Sequence, residues 1–478
     1  MARVLLMNPG YDVDSGFGDY KALAEAMPVI GLAYIAATCR EAGHEVRCLD
    51  NFVDGLNETQ IVDLVSEWRA DAVGIGVLTP SVHTVESLGR RLRKERPQTK
   101  VVLGNLHASL FAEDLVRDGY ADFVLHSEAE TTMPKLCDVL DRGGSFDDVP
   151  GLTYMNGGIH TTPIAPLLQG SELDELPLPA WDLFPEHVYG FLAFVNVAKP
   201  GLSIIGSRGC PFHCTYCALG YQGHKVRRRS PENIAAEIEW LVKENGIRHV
   251  GFVDPIFPVH KQHGIDTCRA IRERNIPGEW WWTTETRVDV IDEEMCREMV
   301  AARCKRILFG IESGVDTLLK NVNKKCTAQD IRDGVRVARS AGLEISAFFM
   351  LGLPGETAEQ TVENIEFARS LDIDFAKFGI TIPYPGTKIW DDLVAEGKMK
   401  PGDWDKFSTF NHDPNTLPFI PRGLTGDKLV RLHRRATFRF YVRPRMIWRH
   451  LFVIRSIGLR QMWNGAKIMI KHLLGRKL

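Results

Sequence analysis

The stretch 210–217 reads Cys-Pro-Phe-His-Cys-Thr-Tyr-Cys and places three cysteines, Cys210, Cys214 and Cys217, within eight residues. Iron–sulfur clusters are held by cysteine thiolates, usually four of them. Because no fourth cysteine stands nearby in the sequence, the spacing predicts a cluster held at three corners, with one iron open to another ligand. The alternative is a zinc ion on three cysteines and a histidine, but the paired cysteine knuckles of such sites are absent.

Length and composition bound the class of protein. A chain of 478 residues is too long for one ordinary core and predicts two or three domains. Its hydrophobic content of 44% and charged content of 25% are typical of a globular protein and argue against disorder. The sequence has no run of about 20 apolar residues, and its opening apolar stretch ends at Asn8-Pro9. We therefore expect a cytoplasmic protein.

Short apolar runs alternate with helical patterns along residues 1–146. This alternation is typical of a doubly wound parallel sheet with helices on both faces. Ligands of such sheets bind beyond the carboxyl ends of the strands, where this sequence places segments rich in small and polar residues. A glycine motif that cradles phosphates is absent from these segments. Strands are predicted at Arg3–Met7, Glu45–Leu49, Ala72–Val77, Lys100–Leu103 and Phe123–Leu125.

A second alternation of strands and amphipathic helices covers residues 202–400, with the three cysteines in the loop after its first strand. Residues 147–201 connect the two units. They are rich in proline and contain no long periodic element, so they predict a stiff linker. The strands of the second unit are predicted at Leu202–Gly206, His249–Val253, Trp280–Glu285, Arg306–Ile311, Ile345–Leu351 and Ala376–Ile382.

The motif Cys-x3-Cys-x2-Cys, with Tyr216 before its last cysteine, resembles the signature of the radical S-adenosylmethionine (SAM) superfamily. The order of the two units resembles the cobalamin-dependent class, in particular the group of the anaerobic magnesium-protoporphyrin monomethyl ester cyclase and the hopanoid-modifying radical SAM proteins. The resemblance implies an α/β protein with a Rossmann-like cobalamin-binding domain (1–146), the linker (147–201), a partial (β/α)6 radical SAM barrel (202–400) and a mainly helical C-terminal region (401–478).

The resemblance also implies three cofactors: a 4Fe-4S cluster, SAM and cobalamin. Cys210, Cys214 and Cys217 match the cluster ligands of the family. Glu312 could instead cap a helix, and proline at position 255 replaces a second acidic residue that is common in the family. The residues that match the SAM contacts of the family are Tyr216, Asp254, Glu312, Ser313, Gly352 and Leu353.

Two features depart from other cobalamin proteins. No histidine follows an Asp by two residues, so the resemblance implies a cobalt without a histidine lower ligand. The run Gly104-Asn105-Leu106-His107 replaces a pair of glycines, which leaves the contact of Asn105 open; His107 and His83 could equally lack a ligand role. A vestigial domain is the alternative to cobalamin binding. The cobalamin contacts implied are Pro9, Thr79, Ser81, Gly104, Asn105, His107 and Glu128.

The third strand of the second unit contains three consecutive tryptophans, residues 280–282. Alternation along a strand sends Trp281 to one face and its neighbours to the other. Trp281 and the downstream Arg287 are therefore candidates for the substrate pocket. The alternative is that all three indoles pack against helices and the linker.

Methylation of an unactivated carbon in a hydrophobic small molecule is the function that the resemblance implies, with an external electron donor of the flavodoxin or ferredoxin type. Such a carbon offers no acidic proton to a general base, so cofactors must supply the chemistry. One alternative is a cyclase or rearrangement enzyme that uses the same cofactors. The other is a cobalamin sensor without activity, against which the intact cysteine motif argues.

The C-terminal segment is strongly basic. Residues 426–478 contain fourteen Lys or Arg and one Asp, in a chain with a net charge of −3. Apolar and basic residues of Gly458–Leu474 occupy opposite faces of a predicted helix, as in helices that lie on anionic membranes. We expect peripheral contact with the inner face of the membrane, and packing on the protein's own core is the alternative. Basic charge alone gives nucleic acid only non-specific affinity, so no specific nucleic acid is expected.

Overall fold

The computed structural model describes residues 1–10, 25–402, 404–408, 413–452, 454, 463–465 and 467. A seven-stranded sheet forms the N-terminal domain, and its first five strands are parallel. In strand β1, Val4, Leu5, Leu6 and Met7 are all buried. Continuous burial of this kind is expected of a parallel strand that helices cover on both faces. The strands are β1 (Arg3–Asn8), β2 (Glu45–Asp50), β3 (Ala72–Gly76), β4 (Lys100–Gly104), β5 (Phe123–Leu125), β6 (Leu152–Met155) and β7 (Ile159–Thr161).

The strand order β2-β1-β3-β4-β5-β6-β7 reverses direction at β1, which creates a crevice at the carboxyl ends of β1 and β3, where ligands of such sheets bind. The doubly wound fold is thus confirmed, and each of its five predicted strands ends within one residue of the observed end. The helices of this domain are Ile30–Glu41, Asn51–Asp54, Glu58–Trp68, Val82–Glu95, Asn105–Leu110, Ala112–Arg117 and Thr132–Arg142.

An antiparallel hairpin of β6 and β7 extends this sheet beyond β5. It lies within the stretch predicted as a linker, so the linker begins later in the structure than position 147. Its strands are only four and three residues long, too short for a pattern of alternation to predict. The remaining linker contains the short helix Gly170–Asp174 and the fully buried Trp181.

Six parallel strands form the second sheet, in the order β15-β14-β13-β12-β11-β8. They confirm the predicted radical SAM barrel sheet, with ends that differ from the predicted ones by at most two residues. A two-stranded ribbon of β9 (Ser207–Arg208) and β10 (Arg227–Arg228) brackets the cysteine loop. The six strands are β8 (Gly201–Ile204), β11 (His249–Phe252), β12 (Trp281–Thr286), β13 (Cys304–Glu312), β14 (Glu344–Leu351) and β15 (Phe375–Ile380).

Alternation along these strands divides the barrel into an outer and an inner face. On β13, Ile307, Phe309 and Ile311 belong to the hydrophobic core under the helices. The intervening residues, Leu308 and Gly310 among them, therefore face the barrel interior. The covering helices are Pro231–Lys243, Lys261–Glu273, Glu293–Ala301, Asp316–Asn321, Ala328–Ser340, Ala358–Ser370 and Lys388–Ala395.

The end of the linker covers the amino end of the barrel. Phe191 is buried against Gly251, where a Cβ atom would lie 2.5 Å from the phenylalanine ring. The Arg306 guanidinium donates to the carbonyl oxygen of Asn196 at 3.1 Å, and the Ser346 hydroxyl donates to that of Phe194. The linker is therefore part of the barrel wall as well as a connection.

Two helices, Gly426–Tyr441 and Pro444–Phe452, are described in the C-terminal region. The first packs on β15, where His433 Nε2 lies 2.9 Å from the carbonyl oxygen of Phe378 and the Tyr441 hydroxyl donates to that of Ala376. The predicted helix Gly458–Leu474 lies outside the described residues except for 463–465 and 467.

Candidate active site

The three cysteines lie in an irregular loop at the carboxyl end of the barrel, and all three are half-buried. Backbone hydrogen bonds fix the loop: Cys210 N donates to Gly223 O and Cys217 N donates to Cys214 O, both at 3.1 Å. Burial raises the pKa of the Cys210 thiol and raises that of Cys217 to about 11. The loop therefore holds its thiols at defined positions without a helix or strand.

The loop fits an iron–sulfur cluster better than a zinc ion. Leu219 N lies 3.5 Å from Cys217 Sγ, so a backbone amide already points at a ligand sulfur. A cluster binds each thiolate through a different iron, whereas a zinc ion requires all its ligands around one point. Over the described ranges no three His, Cys, Asp or Glu side chains surround such a point. The three thiols are the residues that would hold the cluster.

A buried polar cluster of Tyr216, Glu312 and Lys324 adjoins the cysteine loop. The Tyr216 hydroxyl donates to Glu312 Oε1 at 2.9 Å, and Lys324 Nζ lies 3.0 Å from the same oxygen. Burial alone would lower the pKa of Lys324, but the Glu312 carboxylate outweighs it and the pKa is raised. Burial, and then Glu312, raises the pKa of Tyr216. The cluster thus holds one carboxylate and one ammonium ion beside the predicted cofactor loop.

Strand β13 needs two unusual backbone positions to present Glu312. The residue has φ of 67°, in the left-handed region, and the β13–β14 register shifts between Gly310 and Glu312. A Cβ atom on Gly310 would lie 2.9 Å from Glu312 Oε1 and 3.3 Å from Lys324 Nζ. Glycine at 310 therefore makes room for both side chains, and the amide of Asn364 fixes the strand end by donating to Glu312 O at 3.3 Å.

Two further residues that match family SAM contacts, Asp254 and Ser313, are buried and hydrogen-bonded. Asp254 accepts from Gly206 N at 2.9 Å and from the Ser207 hydroxyl at 2.7 Å, and burial raises its pKa to about 7. It thus holds the turn that leads into the cysteine loop. Ser313 is buried and its hydroxyl accepts from Val315 N at 3.1 Å.

Gly352 and Leu353 form a turn after β14. Both backbone amides donate to Glu356 Oε2 at 2.7 Å, and Gly352 has φ of 81°. Leu353 is fully buried in a small apolar cluster against which Tyr216 packs. The turn therefore supplies an apolar wall beside the Tyr216 ring, the kind of surface on which an aromatic base would pack.

A cavity of about 340 Å³ lies between the two domains. From the N-terminal domain it is lined at the strand ends by Asn8, Gly76, Gly104, Asn105 and Glu128, and from the barrel by Val253, Pro255 and Tyr221. A Cβ atom on Gly76 would meet nothing within 4 Å, so the strand end is open there. A ligand at the crevice of the first sheet would therefore also contact the mouth of the barrel. This open, largely apolar crevice fits a flat macrocycle such as the corrin of cobalamin.

Four of the predicted cobalamin contacts do not line this cavity. The His107 imidazole is 3% exposed, lies 3.1 Å from the Thr79 hydroxyl and packs edge-on against Trp404. Burial lowers its pKa to about 4. Ser81 is buried and closes its own turn by donating to Leu78 O, and Pro9 O lies 3.4 Å from the amide nitrogen of Asn51. Gly104, Asn105 and Glu128 are the predicted contacts that do line it.

Glu128 belongs to a buried network of ion pairs between the domains. It accepts from Arg227 at 2.8 Å and Arg208 at 3.2 Å, and Arg208 also binds Glu130 at 2.6 Å. The two glutamates follow β5, whereas the two arginines lie on the ribbon that brackets the cysteine loop. Burial would lower the pKa of Arg208, but Glu130 and Glu128 raise it. The network therefore couples the crevice of the first sheet to the cluster loop.

The two candidates for the substrate pocket, Trp281 and Arg287, lie near opposite ends of β12. Arg287 binds Asp289 through two hydrogen bonds of 2.7–2.8 Å, and its guanidinium stacks 3.8 Å from the centre of the Phe212 ring in the cysteine loop. Trp281 is half-buried at the amino end of β12, far from the carboxyl end where barrel chemistry occurs. Arg287 thus supports the cluster loop, and Trp281 lies at the opposite end of its strand.

Sequence reasoning missed Lys324 and Arg208. Lys324 stands in the run Asn323-Lys324-Lys325, which has the composition of an exposed turn; only the fold brings it to Glu312. Arg208 stands two residues before the cysteine motif, and that position was the one signal that could have drawn attention to it.

Two family models match the chain: the radical SAM superfamily over residues 204–368 and the B12 binding domain over residues 22–137. An uncharacterised methyltransferase of Pyrococcus horikoshii is 31% identical over 441 residues, which cover 92% of this chain and 93% of that protein. The anaerobic magnesium-protoporphyrin IX monomethyl ester cyclase of Rubrivivax gelatinosus is 25% identical, over 85% of this chain and 72% of that protein.

Among solved structures, the radical SAM methyltransferase TsrM of Kitasatospora setae, with cobalamin and a 4Fe-4S cluster bound, superposes with a TM-score of 0.72 at 17% identity. The match covers 99% of this chain and 100% of that one. At this identity the likeness concerns the fold: a B12-binding domain, a radical SAM barrel sheet and a helical C-terminal region occur in the same order.

Proposed function

Because the chain belongs to the cobalamin-dependent radical SAM methyltransferase family, we propose that it methylates an unactivated carbon of a hydrophobic small molecule. The chain is an enzyme that uses a 4Fe-4S cluster, SAM and cobalamin. One observation supports methyl transfer most directly: the lining of the cavity comes from both the first sheet and the barrel mouth. A methyl group carried at the crevice would therefore face the barrel interior.

When bound, the three cofactors supply reductive cleavage of SAM, removal of a hydrogen atom and a transferable methyl group. The protein's own groups bind and orient. Cys210, Cys214 and Cys217 would hold the cluster, Glu312 would accept hydrogen bonds from the amine or hydroxyls of SAM, and Tyr216 and Lys324 would keep that carboxylate in place. The Leu353 turn would pack against the adenine.

A cyclase or rearrangement enzyme is the second candidate, supported by the likeness to the magnesium-protoporphyrin ester cyclase. One experiment separates the two. The anaerobically purified enzyme, with reconstituted cluster and cobalamin, receives dithionite as the electron source, SAM with a trideuterated methyl group, and a lipid and tetrapyrrole extract. Methylation predicts a product that is heavier by one labelled methyl group; a cyclase predicts 5′-deoxyadenosine without label transfer. Formation of neither, in the wild type, would contradict both.

Replacing the three cysteines by Ala provides the control for that experiment, because the loop is irregular and its loss leaves the sheets intact. We expect the variant to lack the absorbance of the cluster and to form no 5′-deoxyadenosine. Iron content and cleavage equal to the wild type would contradict the assignment of these ligands.

The half-buried loop also supports a role for an external donor of the flavodoxin or ferredoxin type, since an electron must reach the cluster from outside.

Peripheral membrane contact at the cytoplasmic face is supported by the helix Pro444–Phe452. Ile447, Trp448, Leu451 and Phe452 are 48–64% exposed on it, and the segment that contains it is basic. An anionic leaflet attracts each nearby Lys or Arg by roughly 1 kcal/mol. None of the described helices is long and apolar enough to cross a membrane, so such contact would be interfacial.

Flotation with liposomes that contain phosphatidylserine tests the membrane contact. We expect the wild type to float at low salt and the double variant Trp448→Ala, Phe452→Ala to float several-fold less. The matched control is Ile164→Ala, which removes an apolar side chain of the linker that is 59% exposed, as Trp448 is. Equal flotation of all three proteins, or of none, would exclude a membrane role for this helix.

A further inference from the structure

Three contacts hold the Arg287 guanidinium against the cysteine loop. Its Nε and Nη2 donate to the two carboxylate oxygens of Asp289 at 2.8 and 2.7 Å, and Nη2 also donates to Lys324 O at 2.6 Å. Its central carbon lies 3.8 Å from the centre of the Phe212 ring, and Phe212 stands between the first two cysteines of the motif. The positive charge is therefore fixed beside the loop that would hold the cluster.

One nitrogen of this guanidinium has no partner in the part of the chain that the structure describes. Arg287 is 4% exposed, and its Nη1 is buried without a hydrogen-bond acceptor among those residues. A buried donor without an acceptor leaves its loss of hydration uncompensated, which is most unfavourable for a charged group. The sulfurs of an iron–sulfur cluster accept hydrogen bonds from N–H groups. The unsatisfied Nη1 therefore indicates an acceptor that comes with the cofactor.

The charge of Arg287 acts on the sulfurs of the loop. Burial raises the pKa of the Cys210 thiol, whereas the charges of Arg287 and Lys324 lower it. Both cations are thus within electrostatic reach of the first cluster ligand. Lys324 is neutralised by the buried Glu312 carboxylate at 3.0 Å. The Asp289 side chain is 25% exposed and that of Arg287 only 4%, so water screens the carboxylate more than the guanidinium. Arg287 therefore supplies the positive charge that its partner cancels least.

We propose that Arg287 raises the reduction potential of the cluster, with Nη1 donating to a sulfur of the cluster or of a cysteine ligand. Reduction adds one electron from the external donor, and so one negative charge, to a cluster that three thiolates already make anionic; no bond forms or breaks. The potential depends on net charge and on hydrogen bonds to the sulfurs, and a buried cation favours the more negative, reduced state. The inference rests on the proposed function and deepens it: Arg287 acts on the cluster and not on the substrate.

A potentiometric titration tests this inference on the full-length enzyme with cluster and cobalamin but without SAM, followed by the electron paramagnetic resonance of the reduced cluster. In Arg287→Met we expect the equilibrium constant for one-electron reduction to fall at least 10-fold, which is a midpoint about 59 mV more negative. Arg287→Lys keeps the charge but loses the planar fork, so its midpoint should lie between the two. Should Arg287→Met hold no iron, the neutral Arg287→Gln replaces it, with a midpoint expected below that of Arg287→Lys.

Asp289→Asn separates an electrostatic role from a structural one. It breaks the same ion pair as Arg287→Met, but it removes the negative partner and leaves the guanidinium uncompensated. We therefore expect its midpoint to shift in the opposite direction, to a more positive potential. A purely structural disturbance of the loop would shift both variants in the same direction.

Arg303→Met is the matched control, because Arg303 also lies over an aromatic ring, 5.3 Å from the centre of Trp280, but directly before the amino end of β13. Its midpoint should equal that of the wild type. An unchanged midpoint in Arg287→Met, an equal shift in Arg303→Met, or shifts of the same sign in Arg287→Met and Asp289→Asn would overturn the inference. Failure of the proposed function would appear separately, as a wild type whose cluster titrates but which transfers no methyl group.

Discussion

At the scale of single residues, the site depends on charges that are buried in pairs. Lys324 and Glu312 are 5% and 8% exposed, and removal of one partner from a buried pair leaves a charge that the protein cannot solvate. Lys324 therefore has two roles: it neutralises the buried Glu312 carboxylate, and it holds in place the carboxylate that would bind SAM.

The variant Lys324→Met should therefore weaken both SAM binding and folding. We expect a loss of about 3–5 kcal/mol in the free energy of unfolding and at least a 10-fold increase in the dissociation constant of SAM, measured by urea denaturation and equilibrium dialysis. Lys325→Met is the control, because its side chain is exposed one position along the chain. Equal SAM affinity in the two variants would show that Lys324 does not contribute to SAM binding.

We expect the free energy of unfolding to depend on pH through His249, which lies at the amino end of the barrel. Its Nδ1 faces Val197 N at 3.5 Å and its Nε2 lies 2.9 Å from the Thr283 hydroxyl. Burial, with a smaller effect of Arg306, lowers its pKa to about 3. Between its ordinary pKa of 6.5 and about 3, the unfolded chain binds a proton that the folded His249 does not, so this contribution to stability is lost as the pH falls.

Urea unfolding between pH 7 and pH 4.5 measures that loss. We expect the free energy of unfolding to fall less steeply in His249→Gln than in the wild type, since the variant lacks the titrating group. His83→Gln, which removes a half-exposed imidazole, should follow the slope of the wild type. A His249→Gln slope that matches the wild type would show that folding does not lower the pKa of His249.

At the scale of elements, the linker segment that covers the barrel end is the clearest case of tertiary packing. Phe191→Ala would empty the space between Gly201 and Gly251, and deletion of a buried phenylalanine side chain costs about 3–5 kcal/mol. Phe452→Ala, at a position 64% exposed, should change stability by about 0.5 kcal/mol or less. Denaturant midpoints compare the two, and similar midpoints would mean that the linker does not support the barrel.

Elements with a strong local pattern could be predicted from the sequence, and elements that depend on distant partners could not. The β-branched and aliphatic runs predicted the eleven parallel strands of the two sheets within two residues of their observed ends. The cysteine loop was equally visible, because its spacing is local. The β6–β7 hairpin, the burial of Phe191 and the pairing of Lys324 with Glu312 depend on contacts between residues far apart in sequence, which no local period encodes.

At the scale of the whole molecule, the pairs of Arg208 and Arg227 with Glu128 and Glu130 join the two domains. Arg208→Met should loosen this junction at a cost of about 3–5 kcal/mol and weaken cobalamin binding, because Glu128 lines the crevice. In Arg40→Met the lost pair with Asp182 is exposed, and a loss of at most about 1 kcal/mol is expected. Cobalamin titration and thermal unfolding measure cobalamin affinity and stability in both variants. Equal losses in the two variants would show that the buried pairs at the junction contribute no more than an exposed pair does.

The covered amino end of the barrel has a consequence for turnover. Phe191 and Phe194 cover the amino end of the barrel, and the cavity at its carboxyl end is shared with the N-terminal domain. We therefore expect substrate, fresh SAM, the spent nucleoside and the methylated product to pass through the carboxyl end, where the two domains meet. If they share this route, product and nucleoside must leave before the next substrate and SAM enter, and the rate of their release would set an upper limit on turnover.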